Sequence, residues 1–189
     1  MNHLEIEYKT LLSKEEFQAL DKLFAHIPIV TQTNYYIDNP NQEIKKQKMS
    51  LRIRTYQNSA EMTLKVPQKI GNYEYNLPLT LNQAKELITD FKIPNSKIKN
   101  ILDNTKIDLS TIKVWGALTT KRRETKLEIG LLALDHNTYE DNSDYELELE
   151  VSDAKKGKSD FDSFLEQHHI QFKYAKSKVA RVYHYLHGN

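Results

Sequence analysis

The sequence predicts an α+β fold in which antiparallel strands close into a β-barrel, helices cover its outside and charged side chains fill its interior. Four stretches, Leu4–Lys9, Leu51–Arg54, Met62–Val66 and Tyr145–Val151, alternate apolar and polar residues at the two-residue period of a strand. The polar faces of the last three are single-signed: Arg52 with Arg54, Lys65 beside Thr63, and Glu146, Glu148 and Glu150 together. Solvated faces normally mix signs, because like charges side by side repel. These faces therefore point into a concave interior, and the apolar faces lie under amphipathic helices at the start, middle and end of the chain. A sheet of this kind closes into a barrel with a polar lumen. Unpaired lysines and arginines in a dry lumen would be prohibitively costly, so the lumen is expected to hold water and an anion.

The elements follow in order. The first strand sets Glu5, Glu7 and Lys9 on one face and Leu4, Ile6 and Tyr8 on the other. Same-face neighbours stand roughly 7 Å apart, so its two carboxylates need water, a basic group or a metal between them. Ser13-Lys14-Glu15-Glu16 is a capping box for a helix through Phe17, Leu20, Leu23 and Phe24, ended by Pro28. A β-branched and aromatic strand follows over 29–38, then the turn Asp38-Asn39-Pro40-Asn41 and a polar segment with Lys45, Lys46 and Lys48. The strands with Arg52 and Arg54, and with Thr63 and Lys65, come next, and Gly71-Asn72 turns into a strand over 73–76. Thr80-Leu81-Asn82-Gln83 is a second capping box, and Pro94 opens a short third helix. Strands are expected over 107–120, 121–134 and 139–151, the last broken at 140–143. Helices near 159–168 and 176–186 finish the chain, with Gly188 as a C-terminal cap.

At 189 residues with no Pro/Gly/Ser-rich linker, the chain reads as one domain. Lys and Arg total 27 against 26 for Asp and Glu, which gives no global attraction to nucleic acid or an anionic membrane. The start has no basic and apolar leader and no stretch is apolar enough to span a bilayer, so a soluble cytoplasmic protein is expected. The absence of cysteine removes disulfides, thiolate metal sites and cysteine nucleophiles. Five glycines include neither GxxxxGK[ST] nor GxGxxG, so any phosphate must be held by side chains.

Taken together, the ExExK run at Glu5, Glu7 and Lys9, Asn34-Tyr35-Tyr36-Ile37-Asp38, LRIR at 51–54, TLK at 63–65, the Glu146–Glu150 alternation and Ser177-Lys178-Val179-Ala180-Arg181 resemble the CYTH domain, or triphosphate tunnel metalloenzyme, family. The resemblance spans nearly the whole chain in the family's order. It is nearest to the small CYTH proteins of low-GC Gram-positive bacteria. One departure is Asn76, which stands where the family often has a second glutamate after Glu74. The resemblance implies a tunnel of eight antiparallel strands that binds a triphosphate. Lys9, Arg52, Arg54, Lys65, Lys178 and Arg181 would contact phosphate, together with one basic residue of 121–123. Alternation favours Arg122 there, unless a bulge exchanges it for Lys121 or Arg123. Glu5, Glu7, Glu146, Glu148 and Glu150 would hold Mg²⁺ or Mn²⁺, and Glu5, Glu7, Lys9 and Glu148 would serve catalysis. Hard divalent ions prefer carboxylate and phosphate oxygens, and guanidinium forks match phosphate.

The function the resemblance implies is metal-dependent hydrolysis of a small-molecule triphosphate, inorganic triphosphate first and thiamine or nucleoside triphosphate next. A class IV adenylyl cyclase and a non-catalytic polyphosphate or nucleotide sensor are the alternatives. Neither a nucleic-acid nor a membrane partner is expected, and the protein is a monomer or a homodimer. The seven scattered histidines read as helix-surface residues. Asp135 reads as a family aspartate or as a turn-forming residue, Trp115 and Tyr139 as packing residues rather than a base-stacking platform, and the 45–48 lysines as a solvated loop or a polyanion recruiter.

Overall fold

The alternating stretches are strands, and each turns its apolar face outward. In the computed structural model, which describes residues 1–188, β1 (His3–Leu12), β2 (Val30–Asp38), β3 (Ser50–Thr55), β4 (Ala60–Pro67), β5 (Asn72–Leu79), β6 (Lys113–Leu127), β7 (Gly130–Tyr139) and β8 (Asn142–Val151) form a closed antiparallel barrel. Its order is β1-β5-β4-β3-β2-β6-β7-β8, closed by pairing of β8 with β1. Closure leaves no strand edge among them unpaired.

The helices are α1 (Lys14–Leu23), α2 (Glu43–Lys46), α3 (Leu81–Thr89), α4 (Lys97–Asp103), α5 (Ala154–Gln167) and α6 (Lys178–His187). Both expected capping boxes form: Ser13 and Glu16 open α1, Thr80 and Gln83 open α3. Two helix starts differ from expectation. The helix expected at Pro94 begins at Lys97 because Ser96 accepts from Lys99 N–H, and α5 begins at Ala154 because Asp153 caps Lys156 N–H. The short α2 was unforeseen. It is held by Asp38, whose carboxylate accepts from the N–H groups of Asn39, Ile44 and Lys45.

The outer apolar faces meet the helices in two clusters. Ile37, Leu51, Ile53, Met62 and Leu64 pack against Ile44 of α2, Ala84 of α3, and Ile98 and Leu102 of α4. Leu132, Leu134, Leu147, Leu149 and Val151 pack against Leu20 of α1 and Phe161, Phe164 and Leu165 of α5. Each such fully buried side chain contributes about 1.5–3 kcal/mol relative to exposure. α5 approaches β8 so closely that a Cβ at Gly157 would lie 2.5 Å from Val151 Cγ2. A third, smaller cluster joins Tyr36, Leu118 and Tyr139 to Val182, so α6 docks on the barrel through its own apolar stripe.

β6 runs unbroken through Thr120 and Lys121, where a strand boundary was expected; the turn falls at Glu128-Ile129 instead. Gly130 after it has φ 147° and a Cβ there would lie 2.3 Å from Glu150 O, so only glycine fits. Against β2, Tyr36 pairs with Gly116 but Ile37 with Val114, so Trp115 is the extra residue of a β-bulge. The bulge reverses the alternation. Val114 joins the outer core, while Lys113 and Trp115 turn to the lumen side. No helix among the described residues is long and apolar enough to cross a membrane.

Candidate active site

The lumen is a cavity of about 990 Å³. Ten of the residues singled out in the sequence line it: Glu5, Glu7 and Lys9 from β1, Arg52 and Arg54 from β3, Lys65 from β4, Arg122 from β6, Glu148 and Glu150 from β8, and Lys178 at the start of α6. Barrel closure brings them together, with Lys9 directly opposite Glu148 and Glu7 opposite Glu150. Arg122 is the inward member of its basic run, since Arg123 reaches out to Asp21 of α1 at 2.7 Å and Lys121 is exposed. Glu146 and Arg181 lie behind the wall. Arg181 spends its guanidinium on Asp144 at 3.0 Å, Glu146 at 2.5 Å and the Lys176 carbonyl at 2.5 Å.

One wall is a compact charge cluster. Carboxylate oxygens of Asp135, Glu146 and Glu148, all buried, lie within 4.8 Å of one another. Lys178 Nζ stands among them, 2.9 Å from Asp135, 2.6 Å from Glu146 and bonded to Glu148. Arg122 forks onto Asp135 with two 2.7 Å bonds and reaches Glu148 at 2.5 Å. With Arg181, three cations face three carboxylates. Burial lifts the Glu146 carboxyl to about 7 against the pull of Lys178. Burial also opposes charge on Glu148, but Lys178 and Arg122 outweigh it and hold that carboxyl well below the usual range.

A second acidic group is less completely neutralised. Lys65 bonds Glu5 and lies 3.0 Å from Glu74, Lys9 pairs with Glu7 at 2.9 Å, and His3 is 3.4 Å from Glu150. Burial raises the carboxyls of Glu5 and Glu150, and their crowding with Glu7 and Glu74 raises them further. An added cation would relieve that crowding. Apart from the single His3 imidazole the donors here are carboxylate oxygens, so the set suits a hard divalent ion better than a transition metal needing several nitrogen or sulfur ligands.

The wall made by β2 and β3 has the opposite character. Arg54 donates to Asn34 at 2.8 Å and reaches Tyr56 at 3.5 Å, but among the described residues no carboxylate lies within 4.0 Å of it. Its burial and the neighbouring Arg52 depress its pKa, the mark of a guanidinium short of counter-charge. Three buried donors on this wall, Gln32 Nε2, Asn34 Nδ2 and Arg52 Nε, have no hydrogen-bond partner among the described residues. A buried donor left unpaired costs about 1–3 kcal/mol, so acceptor oxygens are wanted there.

Sequence reasoning undervalued four residues, two that line the lumen, Glu74 and Trp115, and two buried just behind it, Asp135 and Asn34. Asp135 is no turn residue but the buried partner of Arg122 and Lys178. Glu74 pairs with Lys65, and Asn34 orients Arg54. Their inward face was readable from alternation. Trp115 was not, because the bulge cannot be seen in the periodicity. Asn76, the departure from the family pattern, accepts from Thr63 at 2.7 Å and donates to Met1 O. His3 and His187 line the cavity, whereas His136 stacks on Tyr145 outside it.

Comparison with known proteins agrees with this geometry. The chain is 33% identical over 184 residues to "Putative triphosphatase YjbK" of Bacillus subtilis, covering 95% of this chain and 94% of that protein. The crystal structure of a protein of Bacillus halodurans described as "a putative adenylate cyclase" superposes with a TM-score of 0.89 at 33% identity, over 95% of this chain and 97% of that one. A Hippeastrum protein, HpAC1, described as having a dominant triphosphatase activity, shares the fold at TM-score 0.75 and 22% identity, over 95% of each chain. The CYTH domain family model matches residues 3–183, nearly the full length, and the chain belongs to that family.

Proposed function

We propose that this protein hydrolyses triphosphates inside its barrel with Mg²⁺ or Mn²⁺, inorganic triphosphate being the minimal substrate and thiamine or nucleoside triphosphates the next. The observation that carries this reading is the asymmetry of the lumen, where Arg54, short of counter-charge, and the unpaired Nε of Arg52 on the β3 wall face carboxylates on the β1–β8 side. A chain of phosphates satisfies the first wall directly. Arg52, Arg54, Lys65, Lys9 and Lys178 contact its oxygens, and Arg122 stabilises charge as it builds on the phosphoryl group. Glu5, Glu7, Glu148 and Glu150, with Glu146 behind, are the residues that would hold the divalent ion, whose contribution is to neutralise phosphate oxygens. A carboxylate of the Glu5–Glu7 pair orients the attacking water and takes its proton. The new P–O bond forms in line with the anhydride bond that breaks, releasing orthophosphate and diphosphate. The relationship to YjbK at 33% identity supports hydrolysis.

A class IV cyclase would use the same clamps but attack the α-phosphate with the ribose 3′-oxygen; a sensor would bind without turnover. A screen of tripolyphosphate, thiamine triphosphate and ATP with Mg²⁺ or Mn²⁺ separates the readings. Hydrolysis gives orthophosphate from tripolyphosphate and, in ¹⁸O-water, labelled phosphate from ATP. Cyclic AMP with unlabelled pyrophosphate would overturn the hydrolase reading in favour of the cyclase, and binding without products would favour the sensor.

A further inference from the structure

The lumen carries opposite charge at its two ends. Where β2 finishes and β3 and β6 start, the cavity is lined by Lys45, Lys48 and Lys113. Lys45 donates to the Gln42 amide oxygen at 2.7 Å and covers the Tyr183 ring, and among the described residues no carboxylate pairs with any of the three ammonium groups. They are placed rather than loose. Asp38, at the end of β2, accepts from the N–H groups of Ile44 and Lys45 and so fixes α2 to the rim. Lys48 follows α2 at φ 58°, a left-handed position where glycine would be less strained, and its side chain lines the cavity. Lys113 reaches the lumen side through the bulge at Trp115. At the opposite end, where β3 finishes at Thr55, β4 starts at Ala60 and β6 finishes at Leu127, the lining carries Glu61 and Glu124. Glu61 accepts from the Tyr56 hydroxyl at 3.3 Å and among the described residues pairs with no cation. Glu124 lies 3.4 Å from Arg122 with 44% of its side chain exposed. His3 also lines the cavity, but it is turned to Glu150 at 3.4 Å.

We infer that the barrel is loaded from one end: a phosphate chain enters at the lysine mouth, free terminus first, and Glu61 with Glu124 bars anions from the other. The inference rests on the triphosphate reading above and gives that reading a direction. A triphosphate is multiply anionic, so lysines at one rim raise its local concentration and its rate of entry, while carboxylates at the other repel it. Arg54 is the residue opposite Glu61 across the β3–β4 pair, and Arg122 stands two places before Glu124 on β6. The last guanidinium groups of the lumen therefore lie immediately inside the acidic rim. A leading phosphate halts at Arg54 and Arg122, because one step further it meets two carboxylates. Anything attached to the other end of the chain must trail out past Lys45, Lys48 and Lys113. Glu61 and Glu124 thus determine specificity by deciding which end of an anionic chain lies inside, without touching the bond that breaks.

Surface plasmon resonance on the immobilised protein, in EDTA to prevent turnover, gives association and dissociation rates for tripolyphosphate. Lys45→Ala, Lys48→Ala and Lys113→Ala together are expected to slow association about tenfold at low salt, the lower range of electrostatic steering, with dissociation changed much less. The deficit should shrink as added salt screens the charges. Glu61→Gln with Glu124→Gln is expected to open the second end, so that in the triple-alanine protein it restores association several-fold. Glu124→Gln alone, at an exposed side chain, should give part of that restoration, and melting temperatures verify that each variant is folded. An association rate indifferent to the three lysines would overturn one-ended loading. So would glutamine variants that restore nothing, or that gain only through slower dissociation, which would mean that the carboxylates merely occupy Arg54 and Arg122. Each of these results leaves the triphosphate reading standing. Failure of tripolyphosphate to bind the unaltered protein would overturn both.

Discussion

Lys178 Nζ lies 2.6 Å from Glu146 and 2.9 Å from Asp135, so an ammonium group carried by α6 stands amid three buried carboxylates donated by β7 and β8. Removing one partner of a buried ion pair costs about 3–5 kcal/mol, because the opposite charge is left stranded. Lys178→Met is therefore expected to lower the melting temperature by roughly 10 °C. Millimolar Mg²⁺ should return part of that loss by replacing the missing cation. Scanning calorimetry with Mg²⁺ and with EDTA checks it, and a variant as stable as the parent would show that the cluster tolerates its charge unaided.

Among the described residues Arg54 has no carboxylate partner, and the donors beside it are unpaired. Tripolyphosphate is accordingly expected to raise the melting temperature. A ligand that binds only the native state stabilises it by about 2.7 kcal/mol at a hundredfold excess over Kd. Arg54→Ala should erase most of the shift; a shift of unaltered size would move the anion site off the β2–β3 wall.

Glu7 and Glu148 separate metal binding from stability. Among the described residues Glu7 pairs only with Lys9, at the partly exposed side of the lumen, whereas Glu148 is buried between Lys178 and Arg122. Both Glu7→Gln and Glu148→Gln are expected to reduce metal-dependent turnover by about a hundredfold or more, the scale of several kcal/mol of lost charge stabilisation. Only Glu148→Gln should also lower the melting temperature clearly. Turnover and melting measured side by side decide this, and full metal-dependent activity in either variant removes that residue from the site.

Arg181 illustrates a different role. Its guanidinium joins Asp144 to Glu146 rather than facing the cavity, so we expect it to position Glu146 and not to touch phosphate. Arg181→Lys should reduce kcat and weaken Mn²⁺ binding, read by calorimetry, with KM for tripolyphosphate nearly unchanged. A large rise in KM with normal kcat would instead make it a phosphate ligand.

Tyr139 gives the alkaline limit. Burial and the adjacent Asp144, to which its hydroxyl donates at 2.9 Å, push its pKa up to about 12. The unfolded chain ionises near 10, so the stability this residue contributes is complete below pH 10 and is lost as pH rises toward 12. Tyr139→Phe should flatten that part of the pH–stability curve; identical slopes in the two proteins would contradict it.

The sequence revealed the strands better than their ends. Alternation identified the inward faces of β1, β3, β4 and β8 because two residues per repeat is the geometry of any half-buried strand. Side-chain caps at Ser13 and Thr80 were equally visible, since the cap is made within four residues. The one-turn α2 depends on Asp38 reaching across a loop, and the length of β6 depends on its pairing with β2 and β7. Neither is local. The bulge at Trp115 hid a change of face, as a slip of one residue always does. Nor could alternation show depth: Glu146 and Arg181 share the inward pattern of Glu148 and Lys178 but sit behind them.

Closure of the barrel through β1 and β8 also governs when the site can exist. During synthesis Glu5, Glu7 and Lys9 are among the first residues made, yet the partners opposite them, Glu150 and Glu148, come about 140 residues later. A contact of such long sequence separation is slow to form, because the loop must be closed before the pairing rewards it. β1 must therefore wait with one edge bare until β8 has emerged, and the charge cluster waits longer still, for Lys178 of α6. Chains truncated before β8 would lose Glu146, Glu148 and Glu150 in one step, and with them the pairing partner of β1.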